Sequence, residues 1–419
     1  MRACVFLPVV VLCAGAFAQG SGVRITTVGN LDTRIPIAVP PATMDDPSLA
    51  AAAQEMSTVI VGDLAFSGLF RILPKSDYPA GFVALDPDAT RLDMDQWRAK
   101  QVEHLVYGKV MREGTQLVCQ FRLFDLLAQE QVIGKQIAGS PDRMRLMAHT
   151  FSEEIIRFLD GIAGIGTTEI CFSGGESGKK EIYISDYDGA NLRQLTQFGS
   201  ISINPQVSPD GTKIAFMSYK DRYPYLYILD RATGNVTPLS KEVGLNSAPN
   251  WSPDGRTLAL TLSKDGNSEI YLRNYDGSSL RRLTQNTHND TSPTFSPNGQ
   301  YIAWVADIGS PQIYLMNADG TGARRVSYQG GNSYDPAWSP DGKFIAYAVE
   351  KSGEGLEIYV CNWDGSNARR LTNSQGSNEA PSWSPDSRHI VFTSTRTGTA
   401  QLWFVTLETG LEEPMASAN

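Results

Sequence analysis

A unit of about 44 residues recurs six times in the C-terminal part of the chain, and no other feature restricts the fold so strongly. The turn Ser-Pro-Asp-Gly begins at Ser208 and Ser252, appears as Ser-Pro-Asn-Gly at Ser296, returns at Ser339 and becomes Ser-Pro-Asp-Ser at Ser384. An apolar-aromatic-apolar triplet centres on Tyr183, Tyr227, Tyr271, Tyr314, Tyr359 and Trp403. Twelve residues after each aromatic comes an apolar marker, at Leu195, Leu239, Leu283, Val326, Leu371 and Met415. All three markers keep one register. Ser-Pro-Asp-Gly suits a type I turn between short strands, because Pro presets φ at the second position and Gly fits the fourth. The triplets lie in runs apolar on both faces, such as Glu181-Ile182-Tyr183-Ile184, as expected of a strand covered on both sides. Asp188-Gly189, Asp276-Gly277, Asp319-Gly320 and Asp364-Gly365 predict a second, tight hairpin with positive φ. Four short strands per unit and six units predict a mainly β fold, a six-bladed β-propeller over residues 163–419. Five inner strands accompany six sets of the other three, so what completes the first blade is left open. Arg281-Arg282, Arg324-Arg325 and Arg369-Arg370 fall on the outermost strands, where charge is expected to protect a blade edge.

Residues 34–162 lack the repeat and alternate helical and strand patterns, which predicts a small α+β domain. Leu49, Ala53, Met56, Ile60 and Leu64 share one helical face after Pro47-Ser48, and Ser67-Gly68 ends that helix. A second helix opens at Ser140-Pro141-Asp142, carries Met144, Met147, Phe151, Ile155 and Phe158 on one side and stops at Gly161. Strands are predicted at 35–39, 104–110, 116–124 and 131–137. Residues 19–33 have no partner pattern and are expected to form a mobile N-terminal tail. Before them, residues 1–18 have the form of a secretory signal peptide: Arg2, an apolar run from Cys4 to Cys13, and Ala16-Phe17-Ala18 as the cleavage site before Gln19. Leu12 in front of Cys13 does not fit a lipid-attachment signal. No later stretch is expected to supply the ~18 apolar residues of a membrane helix, so an exported protein without direct membrane insertion is expected.

The chemistry-bearing residues are sparse. Loss of the leader leaves 35 basic against 45 acidic residues, a net charge of −10, which argues against nucleic acid and anionic membrane surfaces as partners. Cys119, Cys171 and Cys361 sit in apolar strand contexts and are expected to be buried thiols. The four histidines, at 104, 149, 288 and 389, show no metal-ligand spacing, and the Asp186–Gly189 run lacks the rest of a calcium loop. Gly174-Gly175-Glu176-Ser177-Gly178 does not have nucleophile-elbow spacing. No catalytic residue, metal or cofactor is expected. A propeller enzyme or a glycan-binding module remain as alternatives to a protein-binding role.

Leader, α+β domain and Ser-Pro-Asp-Gly propeller, in this order, resemble the TolB family, the periplasmic component of the Tol-Pal envelope system. The resemblance is carried by Val23-Arg24-Ile25, by Asp63-Leu64-Ala65-Phe66-Ser67-Gly68, and by Arg145-Leu146-Met147-Ala148-His149 leading to Ile155-Ile156 and Thr167-Thr168-Glu169-Ile170. It implies a non-enzymatic adaptor in the periplasm that links the Pal lipoprotein to inner-membrane TolA, with other outer-membrane proteins as further partners, and supports outer-membrane integrity and constriction in cell division. It implies a TolA-binding tail in which Val23, Arg24 and Ile25 match the family and Thr26 to Leu31 depart. It also implies a Pal-binding channel mouth at Leu245, Asn246, Ala248, Asp290 and Thr291, with Tyr334 and Glu379 as further candidates. Leu245 stands where the family often has His.

Overall fold

The structure, a computed structural model, describes residues 5–7 (backbone only), 34–80, 94–176, 178–351, 353, 355–373 and 376–415. The rest of the expected leader and the whole tail, with Val23, Arg24 and Ile25, lie outside the described residues. Two compact units divide between Thr167 and Thr168, past the boundary expected at residue 162.

In the N-terminal unit a mixed sheet runs in the order Phe70–Ile72, Ile35–Ala38, His104–Glu113, Gln116–Asp125, Glu130–Gly139, with Thr43–Met44 also paired to His104–Glu113. The three short strands add in parallel and the three long ones form antiparallel hairpins. Helices α1 (Ala50–Phe66) and α3 (Met144–Asp160) cover the sheet, and the short α2 (Met94–Arg98) buries Trp97 in a separate cluster. Met56, Ile60 and Leu64 of α1 meet Phe121 of the sheet and Phe151 of α3, whose rings stack at 4.6 Å. Two expectations need correction here. Phe158 is 54% exposed, because at 100° per residue the buried stripe of α3 rolls toward Ala148 and Ile156. Pro47–Phe66 is apolar and long enough by composition to cross a membrane, since four consecutive alanines raise its hydropathy, although none was expected. Its Met56, Ile60 and Leu64 are spent in the core of this unit.

Three of the segments that carry the resemblance, those of Asp63, His149 and Thr167, meet at one place in this unit. His149 Nδ1 lies 2.8 and 2.9 Å from the two oxygens of Asp63, both side chains being buried. One turn along α3, Glu153 accepts from the backbone N–H of Thr167 at 2.7 Å and from its hydroxyl at 2.8 Å. Between them a Cβ on Gly166 would lie 3.0 Å from Asp63 Oδ2, so only glycine passes there without displacement. Burial pushes the Glu153 carboxyl above its usual range.

Residues from Glu169 onward form six four-stranded antiparallel sheets, the blades. Blade three is typical: Asn246–Trp251, Thr257–Leu262, Glu269–Asn274 and Leu280–Arg282 run from the inside outward. The other inner strands are Ser202–Val207, Asp290–Phe295, Ser333–Trp338 and Asn378–Trp383. In blade one Val5–Leu7 takes that place, antiparallel to Glu169–Cys171. This answers the open question for the unprocessed chain only, because cleavage after Ala18 would remove the strand. Apolar second and third strands stack between blades, as Leu258, Leu260 and Tyr271 do against Ala215, Leu226 and Ile228. Cys171 and Cys361 are buried among them and Cys119 in the N-terminal core. Burial raises all three thiols, Cys119 and Cys361 to about 12, which keeps them inert at neutral pH.

The turns carry more than their φ angles. Ser208 donates its hydroxyl to Asp210 at 2.6 Å and accepts from Lys213 N at 2.9 Å, so each Ser-Pro-Asp-Gly ties strand one to strand two. Gly211, Gly255, Gly299 and Gly342 supply positive φ at the fourth position, and Ser387 adopts the same conformation in blade six. The Asp-Gly hairpins are wider than the expected two-residue turns: in blade three Arg273 pairs with Leu280, and positive φ falls on Gly277 and Ser279. The paired arginines also do more than guard an edge. Arg281, Arg324 and Arg369 reach the backbone carbonyls of the next blade at Asp319, Asp364 and Leu407. Arg282 and Arg370 turn inward to the buried carboxylates of Glu269 and Glu357, at 2.9 and 2.7 Å.

Candidate binding surface at the channel mouth

Because neighbouring strands are antiparallel, each blade puts its two hairpin turns at one end. At the other end lie the loop between strands two and three and the loop that enters the next inner strand. The first residues of the inner strands therefore surround the channel at the loop end, and the pairing register sorts them into three rings.

The outermost ring is Ser202, Asn246, Asp290, Ser333 and Asn378, all buried. Asn246 accepts from Ser240 Oγ at 2.7 Å and from Glu242 N at 3.0 Å, and donates to Glu242 O at 2.8 Å. Asp290 accepts from the Trp304 indole N–H at 2.9 Å and from Asn286 Nδ2 at 2.7 Å. Burial raises its carboxyl above the usual carboxylate range, against the pull of those donors. The side chains of these two candidates thus hold loops in shape. Leu245, just before them, is half-buried against the cluster of Leu239 and Leu262, and its N–H donates to Ser263 Oγ at 2.8 Å.

The next ring is Ile203, Ser247, Thr291, Tyr334 and Glu379, which face Met217, Thr261, Val305, Ala348 and Thr393 across the first pairing. All five are half-buried. Three of the candidates, Thr291, Tyr334 and Glu379, fall in this one ring. Inside it stand Asn204, Ala248, Ser292, Asp335 and Ala380, with φ between 46° and 55°, each just before a proline and at the point where the register shifts. A bulge that holds a non-glycine residue in the left-handed region costs of order 1 kcal/mol, and it bends the inner strand. Five such bulges and the turn prolines Pro209, Pro253, Pro297 and Pro340 line a channel cavity of about 410 Å³. Ala248 belongs to this lining.

The profile of the "TolB beta propeller domain" matches residues 157–354 and 331–418, and that of the "TolB amino-terminal domain" matches residues 23–132. The chain belongs to the TolB family. A Tol-Pal system protein TolB of Syntrophotalea carbinolica is 36% identical over 224 residues, 51% of this chain and 50% of that protein. One from Geobacter sulfurreducens is 39% identical over 165 residues, 39% and 38% of the two chains. The matched part spans about half the length of these curated relatives or less. The crystal structure of TolB from Acinetobacter baumannii superposes with a TM-score of 0.79 over 91% of this chain and 93% of that one, at 23% identity, which shows the shared fold.

Within this TolB-family propeller, one set of residues around the mouth escaped the sequence reading. At one position of the repeat, two residues past strand two in blades two, three and six and at the end of a longer strand two in blade five, a cation lies over the aromatic of strand three. Lys220 Nζ is 4.3 Å from the Tyr227 ring and Lys264 5.6 Å from Tyr271; Lys351 is 5.4 Å from Tyr359, and Arg396 4.0 Å from Trp403. In blades two and three an aspartate follows, Asp221 and Asp265, and accepts from the tyrosine hydroxyl at 2.8 and 2.6 Å. The signal was present, since Lys-Asp at 220–221 and 264–265 keeps the period of the repeat. Among the described residues, no three His, Cys, Asp or Glu side chains form a group placed to hold a metal.

Proposed function

We propose that this TolB-family chain is a periplasmic, non-enzymatic adaptor of the Tol-Pal system whose channel mouth binds the Pal lipoprotein and whose N-terminal segment at Val23, Arg24 and Ile25 is recognised by TolA. In that role it links the outer membrane and its peptidoglycan to the inner membrane and supports constriction during division. The observation that carries the reading is the ring of Ile203, Ser247, Thr291, Tyr334 and Glu379, five half-buried side chains at one register around one opening. A rigid ring of mixed apolar and polar groups suits a folded protein partner, because little ordering entropy is lost on docking. Asn246 and Asp290 act beside it, in the outermost ring, by fixing the loops, and Leu245 by supporting them from the blade core.

Calorimetric titration with the periplasmic domain of Pal from the same cell tests this. Wild type should bind, and Thr291→Arg should abolish binding without lowering the melting temperature, because Thr291 is half-buried at an opening rather than in a core. A well-folded wild type that does not bind Pal, or Thr291→Arg binding as wild type does, would overturn the reading.

A further inference from the structure

Blade four breaks the repeat on the loop end of the propeller. Where blades two, three, five and six place Lys220, Lys264, Lys351 and Arg396, blade four has Ile308, 51% exposed. Ile308 directly follows Asp307, whose N–H donates to Asn289 O at 3.0 Å, as the N–H of Tyr219 and Ser263 do at the same place in blades two and three. The loop thus starts from the same backbone contact, but it is one residue shorter than those of blades two and three, and Asp307 pairs with Pro311 across it. Across the seam in blade five is Tyr334, its hydroxyl 3.4 Å from the Glu350 carboxylate, which also accepts from Asn332 Nδ2 at 2.8 Å. Asp307 lies near enough to act on the same phenol. The neighbouring cations are engaged elsewhere: Lys351 Nζ donates to Gln329 O at 3.0 Å, and Arg325 donates to Ser327 O and lies over Tyr328. One sector of the mouth therefore exchanges the usual cation for an apolar side chain, an aromatic and two carboxylates.

We propose that this seam between blades four and five is the part of the mouth that receives an apolar side chain of the protein partner flanked by a lysine or arginine. Ile308 and Tyr334 form the apolar seat, and Asp307 and Glu350 receive the cation. An exposed aliphatic residue alone is ordinary. Here it stands where four sister blades carry a cation, beside two carboxylates, so charge and apolar surface select the same partner chemistry. The inference rests on the reading of the mouth as the partner surface, and adds which sector dominates and what it selects.

The test titrates the Pal periplasmic domain into wild type, Ile308→Lys, the double variant Asp307→Asn with Glu350→Gln, and Thr291→Arg, at low and high salt. Ile308→Lys restores the residue of the repeat and should fold. It should weaken binding about tenfold or more, by losing the seat and repelling the partner's cation. The double variant should weaken binding several-fold at low salt, with the difference shrinking at high salt as screening grows. Thr291→Arg abolishing binding while Ile308→Lys and the double variant stay within about twofold of wild type would overturn the seam and leave the mouth standing. Absence of binding by wild type would remove the reading and the seam together.

Discussion

Blades three and four are neighbours built from the same repeat, yet they solve one burial problem in opposite ways. Each carries, just before the Ile of its aromatic triplet in the third strand, a buried hydrogen-bonding side chain, Glu269 in one and Gln312 in the other. Glu269 is an ion-pair centre. It accepts from Arg282 at 2.9 Å, Asn267 Nδ2 at 2.9 Å and Asn286 N at 2.9 Å. Those donors hold its carboxyl below the usual range despite burial. Gln312 is a neutral bridge, accepting from Ser327 Oγ at 2.7 Å and donating to Gly331 O at 2.8 Å. The entering loop decides which solution works: the blade-three loop turns a backbone N–H toward the site, whereas that of blade four turns a carbonyl. A carbonyl needs a donor, and a carboxylate has none.

The largest expected effect comes from removing the charged centre. Glu269→Ala removes the buried acceptor shared by Arg282, about a quarter exposed, Asn267 and Asn286, although Arg282 keeps the Thr284 carbonyl at 2.8 Å. Breaking such a pair costs roughly 3 kcal/mol, a fall in melting temperature of roughly 6–12 °C for a unit of this size. Gln312→Ala should cost only about 1–2 kcal/mol, since neutral groups are orphaned. Calorimetric melts of the two variants compare them directly. Equal losses would mean that charge is not what separates the blades.

Smaller, and different in sign with pH, is the exchange Gln312→Glu. Burial and the Gly331 carbonyl should raise the new carboxyl above its unfolded value of about 4.3. Its protonated form can still donate to Gly331 O, so below pH ~4 the variant should match wild type. As pH rises through the raised folded value the carboxylate meets the carbonyl, and about 1–2 kcal/mol is lost by pH 7. Melting temperature followed across that range checks the sign. A variant more stable than wild type at pH 7 would mean that Arg325 leaves Tyr328 to pair with the new charge, and the loop carbonyl would not be the reason for the amide.

The same contrast shows what sequence could convey. Blade number, register and the Ser-Pro-Asp-Gly turns were legible because they depend on local chemistry repeated in phase, and six weak signals at one spacing reinforce one another. The roles of the paired arginines were not legible. Arg281 and Arg282 are adjacent in sequence, yet one crosses to the next blade and the other turns to Glu269, a difference set by strand alternation and by what the neighbouring blade presents. For the candidate site, spacing located the mouth and the residues ahead of each proline. It did not separate the buried Asn246 and Asp290 from the half-buried Thr291, because a one-residue shift in a strand changes the face and only the observed pairing fixes the register. Asp63 and His149 stood out as motifs, but their contact joins two helices 86 positions apart and required the fold.

The smallest expected effect lies in the exposed counterpart of this charge chemistry. In blade two Asp221 sits among Lys241, Tyr227 and Lys220, with Lys241 Nζ at 2.7 Å and the Tyr227 hydroxyl at 2.8 Å. The Lys241 contact, with the tyrosine hydrogen bond next, brings its carboxyl down to about 2. Because the folded value lies below the unfolded one, near 3.9, the stabilisation is present above the unfolded value and is lost as pH falls through about 2. Asp221→Asn should therefore change the melting temperature little at neutral pH, since water and salt screen an exposed pair. Between pH ~4 and ~2 wild type should lose its small advantage and converge on the variant. Salt near 1 M should erase the difference at every pH. Blade four has Ile308-Gly309 where Lys220-Asp221 stand, so its loop has no such acid-sensitive contact to lose. A large loss in Asp221→Asn at neutral pH would show that the lysine-aspartate-tyrosine set holds the loop itself, and blade four would then need another support in its place.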